Sequence, residues 1–142
     1  MVDKVPEPDE YLPLSPAVLD IVLALGDDEL HGYGIMREVR RRTDGRRRLA
    51  PGTLYRSLRQ MEEKGLATES DERPDPDLDD ERRRYYRLTD LGRKVAAAEV
   101  ERLEGLVRVA RSKGLVPRTR PSSHPGVFKA TLKAVQTAGI IR

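Results

Sequence analysis

The sequence of 142 residues contains no cysteine, no tryptophan, one phenylalanine and only two histidines, His31 and His124. The lack of cysteine excludes disulfide bonds, thiol nucleophiles and thiolate metal sites together. Because the two histidines lie far apart in the sequence, a zinc or iron site would have to be built from carboxylates alone, which is unusual. We therefore expect neither a metal site nor a cofactor.

Long apolar runs are also missing. The longest, residues 17–25, contains Asp20 and is far too short to span a bilayer. The N-terminus is acidic and rich in proline, unlike a secretory signal peptide. The sequence has no phosphate-binding loop, dinucleotide fingerprint or nucleophilic serine motif. We expect a cytoplasmic protein with no membrane partner that is not an enzyme.

The charged residues are unevenly distributed. The net charge is only +3, with a pI of about 9.3. Residues 37–64 carry ten basic side chains against four acidic ones, whereas residues 71–81 carry seven acidic side chains against one arginine. This separation predicts a surface that faces a polyanion. Hydrophobic residues make up 37% of the chain, so the core is small, and a second subunit is expected to complete it.

Local signals predict four helices and a hairpin. Ser15 followed by Pro16 is typical of a helix start, and Gly26 should end that helix. Glycine is also expected to end the third helix, at Gly65. The remaining elements are a turn at 27–32, a helix at 33–43, a third helix at 51–64, strands at 66–70 and 82–88 around a loop at 71–81, and a long helix from 89 or 90 to 113. Gly114 should end the long helix.

This order of elements is that of a winged helix-turn-helix domain. We predict a mainly α fold with a small β-hairpin, in which a long C-terminal dimerisation helix follows the winged-helix domain. The predicted regions are a flexible arm at 1–13, the DNA-binding domain at 14–89, the dimerisation helix at 90–114 and a basic, loosely ordered tail at 115–142, with a short helix near 127–137.

In a winged helix the third helix enters the major groove of DNA. Leu54, Leu58 and Met61 should anchor it to the core, which leaves a polar side whose arginine and glutamine side chains suit base edges. Tyr55 lies beside the apolar side, and both orientations stay open. The candidate groove residues are Thr53, Tyr55, Arg56, Arg59 and Gln60. The candidate phosphate-binding residues are Arg46, Arg47, Arg48, Arg82, Arg83 and Arg84.

The long helix carries a heptad-like apolar stripe with spacings of 4, 3, 4 and 3 residues. The stripe consists of Ala96, Val100, Leu103, Val107 and Ala110. A second apolar side, formed by Leu91, Val95, Leu106 and Val109, adjoins it. Two apolar sides require two covering surfaces, so we predict that one packs on its own domain and the other on the same helix of a second subunit.

Three short motifs resemble a known family. His31-Gly32-Tyr33, the segment 51–55 with the sequence PGTLY, and the segment 84–89 with the sequence RYYRLT, followed by Gly92, are similar in content, order and spacing to signatures of PadR-type regulators. The resemblance covers roughly residues 14–113. It implies a winged-helix domain, a C-terminal dimerisation helix and repression that a small molecule or another signal releases.

The chain departs from the family pattern in two places. The wing loop at 71–81 is long and acidic, which argues against close contact between its tip and DNA. The C-terminal region lacks tryptophan, so the aromatic drug pocket that some relatives build between subunits is not expected.

Several residues admit a structural interpretation beside a functional one. For His31 we favour a cap or packing role at the start of the second helix over a ligand role, and for Gly32 a turn or a close contact. Tyr85 and Tyr86 should alternate across their strand, with Tyr86 in the core beside Leu88. A solvated acidic loop is favoured over a cation site because the glycine and glutamate spacing of a calcium-binding loop is absent.

Taken together, these features predict a homodimeric repressor that binds a pseudo-palindromic operator in double-stranded DNA and responds to an unidentified small molecule or other signal. Two alternatives belong to other classes. One is a dimeric winged-helix module that binds protein instead of DNA, and the other is a protein that sequesters a ligand at its dimer interface. The arginine-rich region of the third helix argues against the first alternative. The second would show tight binding of a small molecule without affinity for DNA, and DNA binding is favoured over both.

Overall fold

The computed structural model of the protein describes residues 4–70 and 84–116. The chain divides into two compact units, Met1–Leu106 and Val107–Arg142. The acidic loop at 71–81, Arg82, Arg83 and the tail from residue 117, including its predicted helix, lie outside the described residues.

The observed elements follow the predicted order closely. A 3-10 helix at Pro8–Tyr11 precedes helix α1 (Pro16–Leu25), strand β1 (Leu30–His31), helices α2 (Gly32–Arg42) and α3 (Pro51–Glu63), strands β2 (Ala67–Glu69) and β3 (Tyr85–Leu88), and helix α4 (Asp90–Ser112). The fold prediction, a mainly helical winged helix followed by a long C-terminal helix, is confirmed.

The predicted helix boundaries depend on short local contacts. The backbone N–H of Val18 donates to Oγ of Ser15 at 3.2 Å, so Ser15 caps α1 as predicted. Gly65, two residues after the end of α3 at Glu63, has φ 74°, the left-handed conformation expected of a stop residue. At the start of α2, the N–H of Gly34 donates to Nδ1 of His31 at 2.9 Å, which confirms the cap role of His31.

The sheet has three antiparallel strands in the order β1-β3-β2, one more than the predicted hairpin. Leu30 and His31 pair with Tyr86 and Tyr85, and Ala67 pairs with Leu88 on the other side of β3. The prediction of a plain turn at residues 27–32 was therefore wrong for Leu30 and His31. Two residues are too few to show strand periodicity, and their pairing depends on a strand more than 50 residues away.

The described part of the N-terminal segment contains a turn that the prediction of a flexible arm at 1–13 missed. The N–H of Glu7 donates to the carboxylate of Glu10 at 2.6 Å, which closes the 3-10 helix. Tyr11 and Leu12 pack against the core. The N–H of Leu14 then donates to Oε2 of Glu99 at 2.6 Å, so this segment is joined to α4.

The hydrophobic core lies between the three N-terminal helices and the sheet. Its fully buried side chains include Ile21 and Leu25 from α1, Ile35 from α2, and Leu54 and Leu58 from α3. Tyr86 and Leu88 close the core from the central strand, as predicted, and Tyr85 lies on the opposite face, where its ring meets that of His31 edge to face at 5.4 Å.

Helix α4 begins directly on the backbone of the connection between α3 and β2. Oγ1 of Thr89 donates to the carbonyl of Gly65 at 2.5 Å and accepts the N–H of Gly92 at 3.0 Å. A Cβ atom at position 92 would overlap the carbonyl oxygen of Leu66. The threonine and glycine of the third motif therefore set how closely α4 approaches its own domain.

In the second unit, the described residues 107–116 contain the end of α4. Gly114 has φ 70°, and the N–H of Leu115 donates to the carbonyl of Ala110 at 2.8 Å. This is the glycine-based helix stop expected at this position.

Candidate nucleic-acid interface

Helix α3 presents a polar side to solvent because its apolar side is fixed in the core. Leu54, Leu58 and Met61 are almost completely buried, and they recur at the spacing of one helix face. All five candidate groove residues are exposed: Thr53, Tyr55, Arg56, Arg59 and Gln60.

The five groove candidates do not all lie together. Tyr55 and Arg59 line a cleft of about 320 Å³ with Arg84, the residue directly before β3, whereas Gln60 lines a separate cleft of about 230 Å³ beside the N-terminal segment. The structure thus brings the α3 candidates Tyr55 and Arg59 to the wing strand and places Gln60 on the other flank of the helix. DNA contacts by these residues stay predictions.

Tyr55 is positioned by the start of α2. Tyr55 is 46% exposed, yet its hydroxyl lies close to the backbone of Gly32. A Cβ atom added at Gly32 would lie only 2.5 Å from the Tyr55 hydroxyl oxygen. The glycine of the first motif and the tyrosine of the second therefore meet in space. Gly32 serves close packing, one of the two roles considered for it, and leaves the Tyr55 ring at the edge of the polar side of α3.

The segment 43–50 between α2 and α3 carries three consecutive arginines, all exposed. Nε of Arg47 donates to Oδ2 of Asp20, and Nη2 of Arg42 donates to the other oxygen of that carboxylate at 2.8 Å. The sequence did not predict a role for Asp20 in the site, because an acidic residue on an apolar helix does not indicate which basic side chains pair with it. Arg46 and Arg48 flank the paired arginine on the exposed side of the segment.

On the wing, the described residues include one of the three predicted phosphate-binding arginines. Nη1 of Arg84 pairs with Oε1 of Glu69 on the neighbouring strand at 3.2 Å, and both side chains are exposed. An exposed pair of this kind is weak enough for a phosphate to compete with it. Arg82 and Arg83 lie outside the described residues, as does the acidic loop tip.

An acidic side chain faces the two arginines of the cleft. Burial raises the pKa of Glu62 above its usual value, the charge of Glu69 adds to this, and Arg84 and Arg59 oppose it. Burial also raises the pKa of Tyr86, whose phenol lines the same cleft. Sequence reasoning missed Glu62, although its position seven residues after Tyr55 places both on one side of α3.

Helix α4 exposes several large apolar side chains. Of the predicted dimer stripe, Val100 and Val107 are 40% and 46% exposed, and Ala96, Leu103 and Ala110 are partly exposed. Leu106 and Val109 are also exposed, at 53% and 57%. In contrast, Gly92, Val95 and Glu99 are buried. Dimerisation through this helix stays a prediction.

Among residues 4–70 and 84–116 there is no cluster of three or more histidine or acidic side chains that could hold a metal ion. No helix in these described ranges is long and apolar enough to cross a membrane.

Comparison with known proteins gives consistent results. Residues 21–98 match the transcriptional regulator PadR-like family. The transcriptional regulator Rv3488 of Mycobacterium tuberculosis is 36% identical over 90 residues, which cover 63% of this chain and 78% of that protein. A PadR family transcription regulator from Clostridium difficile is similar in structure, with a TM-score of 0.57, 25% identity and coverage of 69% of this chain and 97% of its own. RosR from H. salinarum shares the fold, with a TM-score of 0.54, 22% identity and coverage of 90% and 98%.

Proposed function

Because this chain belongs to the PadR-like family of transcriptional regulators, whose members bind DNA, we propose that it is a sequence-specific homodimeric repressor. The observation that carries the proposal is the exposed polar side of α3. It presents Arg56 and Arg59 to solvent, and Arg59 shares a cleft with Arg84, which directly precedes the wing strand β3. Arginines on the helix that enters the groove can contact bases, and an arginine on the adjoining wing can contact the phosphate backbone. This matches the usual division of DNA contacts between the two elements.

In this proposal α3 lies in the major groove. Arg56 and Arg59 bind base edges there, where an arginine fork matches the two acceptors of guanine, and Thr53 binds a phosphate near the helix N-terminus. Arg46, Arg48 and Arg84 bind the flanking phosphates. Since each phosphate contact releases counterions, affinity should fall steeply as the salt concentration rises.

The direct test replaces Arg59 with alanine. The loss of one base contact should weaken operator binding by about 1–3 kcal/mol while changing binding to a scrambled duplex much less. Arg93→Ala is the matched control, because Arg93 also carries one charge but lies on α4 and pairs with the exposed Asp27 at 2.7 Å. If Arg59→Ala and Arg93→Ala bind the operator equally well, Arg59 does not read a base.

We propose that the exposed stripe on α4 joins two subunits. Val100 and Val107 are large apolar side chains that lie exposed on one side of the helix. An exposed apolar surface of this kind is typical of a protein–protein interface. A glutamate at either position would bury a charge in the seam, so Val100→Glu should convert the dimer to monomer at micromolar concentration. Ala97→Glu adds the same charge at an exposed position outside the stripe and should leave the dimer intact. Light scattering after size exclusion distinguishes these outcomes.

A two-fold dimer presents two copies of α3. We therefore propose a pseudo-palindromic operator whose half-sites lie about one helical turn, 34–36 Å, apart. The family resemblance further supports repression that a small molecule or another signal releases. Deleting the gene should raise transcription from the operator-bearing promoter, whereas a fall in transcription would identify an activator.

A further inference from the structure

A buried carboxylate connects α1 to the segment that leads into α3. Asp20 is only 5% exposed, and its two oxygens accept from two different arginines, Arg42 and Arg47. Burial of an unpaired charge is strongly unfavourable, so this carboxylate requires both partners. Arg42 in turn depends on Asp20, because its side chain is only 24% exposed, Nη2 bonds to Asp20, and the buried Nη1 has no hydrogen-bond partner within the described residues.

The two arginines lie on either side of a tight turn. Arg42 is the last residue of α2, and Arg47 lies five residues later, in the segment 43–50. Oγ1 of Thr43 donates to the carbonyl of Val39 at 2.9 Å and accepts the N–H of Arg47 at 3.1 Å, so backbone and side chain of Arg47 are both held. The segment is thus tied to α1 and α2 just before α3 begins.

These contacts decide which way the arginines of the segment face. All three arginines are exposed, but Arg47, whose side chain is 44% exposed, directs its guanidinium to Asp20. An unpaired Arg47 would be one more mobile cation on the DNA-facing surface. Such a cation binds any phosphate and carries no sequence information.

We propose that Asp20 is a specificity-determining positioning residue: by holding Arg42 and Arg47 it fixes the segment 43–50 and withholds one cation from non-specific phosphate binding. This inference rests on the proposed DNA-binding function. It assigns Arg47, one of the three predicted phosphate-binding arginines of the segment, to positioning instead.

The inference predicts opposite changes in two affinities for Asp20→Asn. Operator affinity should fall about tenfold, since a shifted segment misaligns the first turn of α3 and its base contacts. Affinity for a scrambled duplex should rise about two- to fivefold, and its salt slope should steepen by about 0.9, because Arg47 is released to bind a phosphate. A variant that is merely unstable would lose both affinities together.

The experiment measures fluorescence anisotropy of the full chain with operator and scrambled duplexes over a range of salt concentrations. Asp28→Asn is the control, because it removes the same charge at an exposed turn position after α1. The double variant Asp20→Asn, Arg47→Ala should lose the gain on the scrambled duplex, since the released guanidinium is gone. If Asp20→Asn behaves like Asp28→Asn, or loses affinity for both duplexes in equal proportion, the inference is wrong.

Arg47→Ala provides a second test that spares the buried carboxylate's own side chain. It should lower operator affinity and leave the salt slope unchanged, whereas a slope shallower by about 0.9 would make Arg47 a direct phosphate contact and overturn the inference.

Hydrogen exchange of the amides of residues 43–49 tests the positioning without DNA. Faster exchange in Asp20→Asn than in Asp28→Asn is expected, and equal exchange refutes it. If the wild-type chain binds no duplex at all, the proposed function fails while the exchange result still decides the positioning.

Discussion

Replacing Gly92 with alanine should destabilise the protein strongly, unlike the same change at Gly105, the other glycine of α4. The added Cβ would overlap the carbonyl oxygen of Leu66, a backbone atom that cannot rotate away. The start of α4 must therefore move, which breaks the bond from Thr89 Oγ1 to Gly65 and loosens the packing of the buried Val95.

The size of the effect follows from those contacts. A lost hydrogen bond contributes about 1 kcal/mol, and the strain of overpacking contributes about 2 kcal/mol more. We expect the free energy of unfolding to fall by about 3 kcal/mol and the melting temperature by about 10 °C.

Urea denaturation followed by far-UV circular dichroism measures this change. All variants are compared at one protomer concentration, because the stability of the proposed dimer would depend on that concentration. Gly105→Ala is the control in the same helix. A Cβ at position 105 meets nothing within 4 Å, so this change should stabilise the protein by about 0.5–1 kcal/mol. The reasoning is refuted if Gly92→Ala costs less than about 0.5 kcal/mol.

Two further predictions concern the buried carboxylate of α4 and the contact between the first two motifs. The hydrogen bond from Arg102 holds the pKa of Glu99 below its usual value of 4.5 despite burial, and the Leu14 N–H adds to this. Because the pKa of Glu99 is lower in the folded state, its ionised carboxylate stabilises that state at pH values above 4.5, and this stabilisation is lost as the pH falls through the lowered pKa. The stability lost in Glu99→Gln should therefore be largest at pH 7 and shrink below pH 4.5. A difference in urea midpoint that stays constant down to pH 3 would contradict this. Gly32→Ala should displace the Tyr55 ring and lower operator affinity about tenfold with little loss of stability, because the far end of a side chain yields more easily than backbone. Gly34→Ala, where the nearest atom would be 3.5 Å away, is its control, and equal affinities in anisotropy would argue against a role for Tyr55.

Much of the helical framework could be predicted because its signals are local. Ser15 caps α1 through a residue three positions away, and Gly65 ends α3 by its own backbone conformation. The apolar spacing of Leu54, Leu58 and Met61 predicted which side of α3 is buried. These features need no knowledge of distant parts of the chain.

What the sequence did not reveal depends on distant partners. Strand β1 forms because Leu30 and His31 pair with β3, which lies more than 50 residues later in the sequence. The role of Gly92 depends on the backbone of Leu66, and that of Asp20 on Arg47 in a connecting segment. A single sequence shows which residue types are present but not which of them contact each other in the fold. The motifs could therefore be identified, whereas the contacts between them could not be predicted.

The central claim is that the polar side of α3 reads a specific DNA sequence. The most direct measurement is fluorescence anisotropy of the full chain with a labelled duplex from just upstream of its own coding region, beside a scrambled duplex, at low and at physiological salt. The account predicts nanomolar binding that prefers the native duplex, falls steeply with salt and weakens in Arg59→Ala but not in Arg93→Ala. Absence of binding to either duplex even at low salt would contradict it.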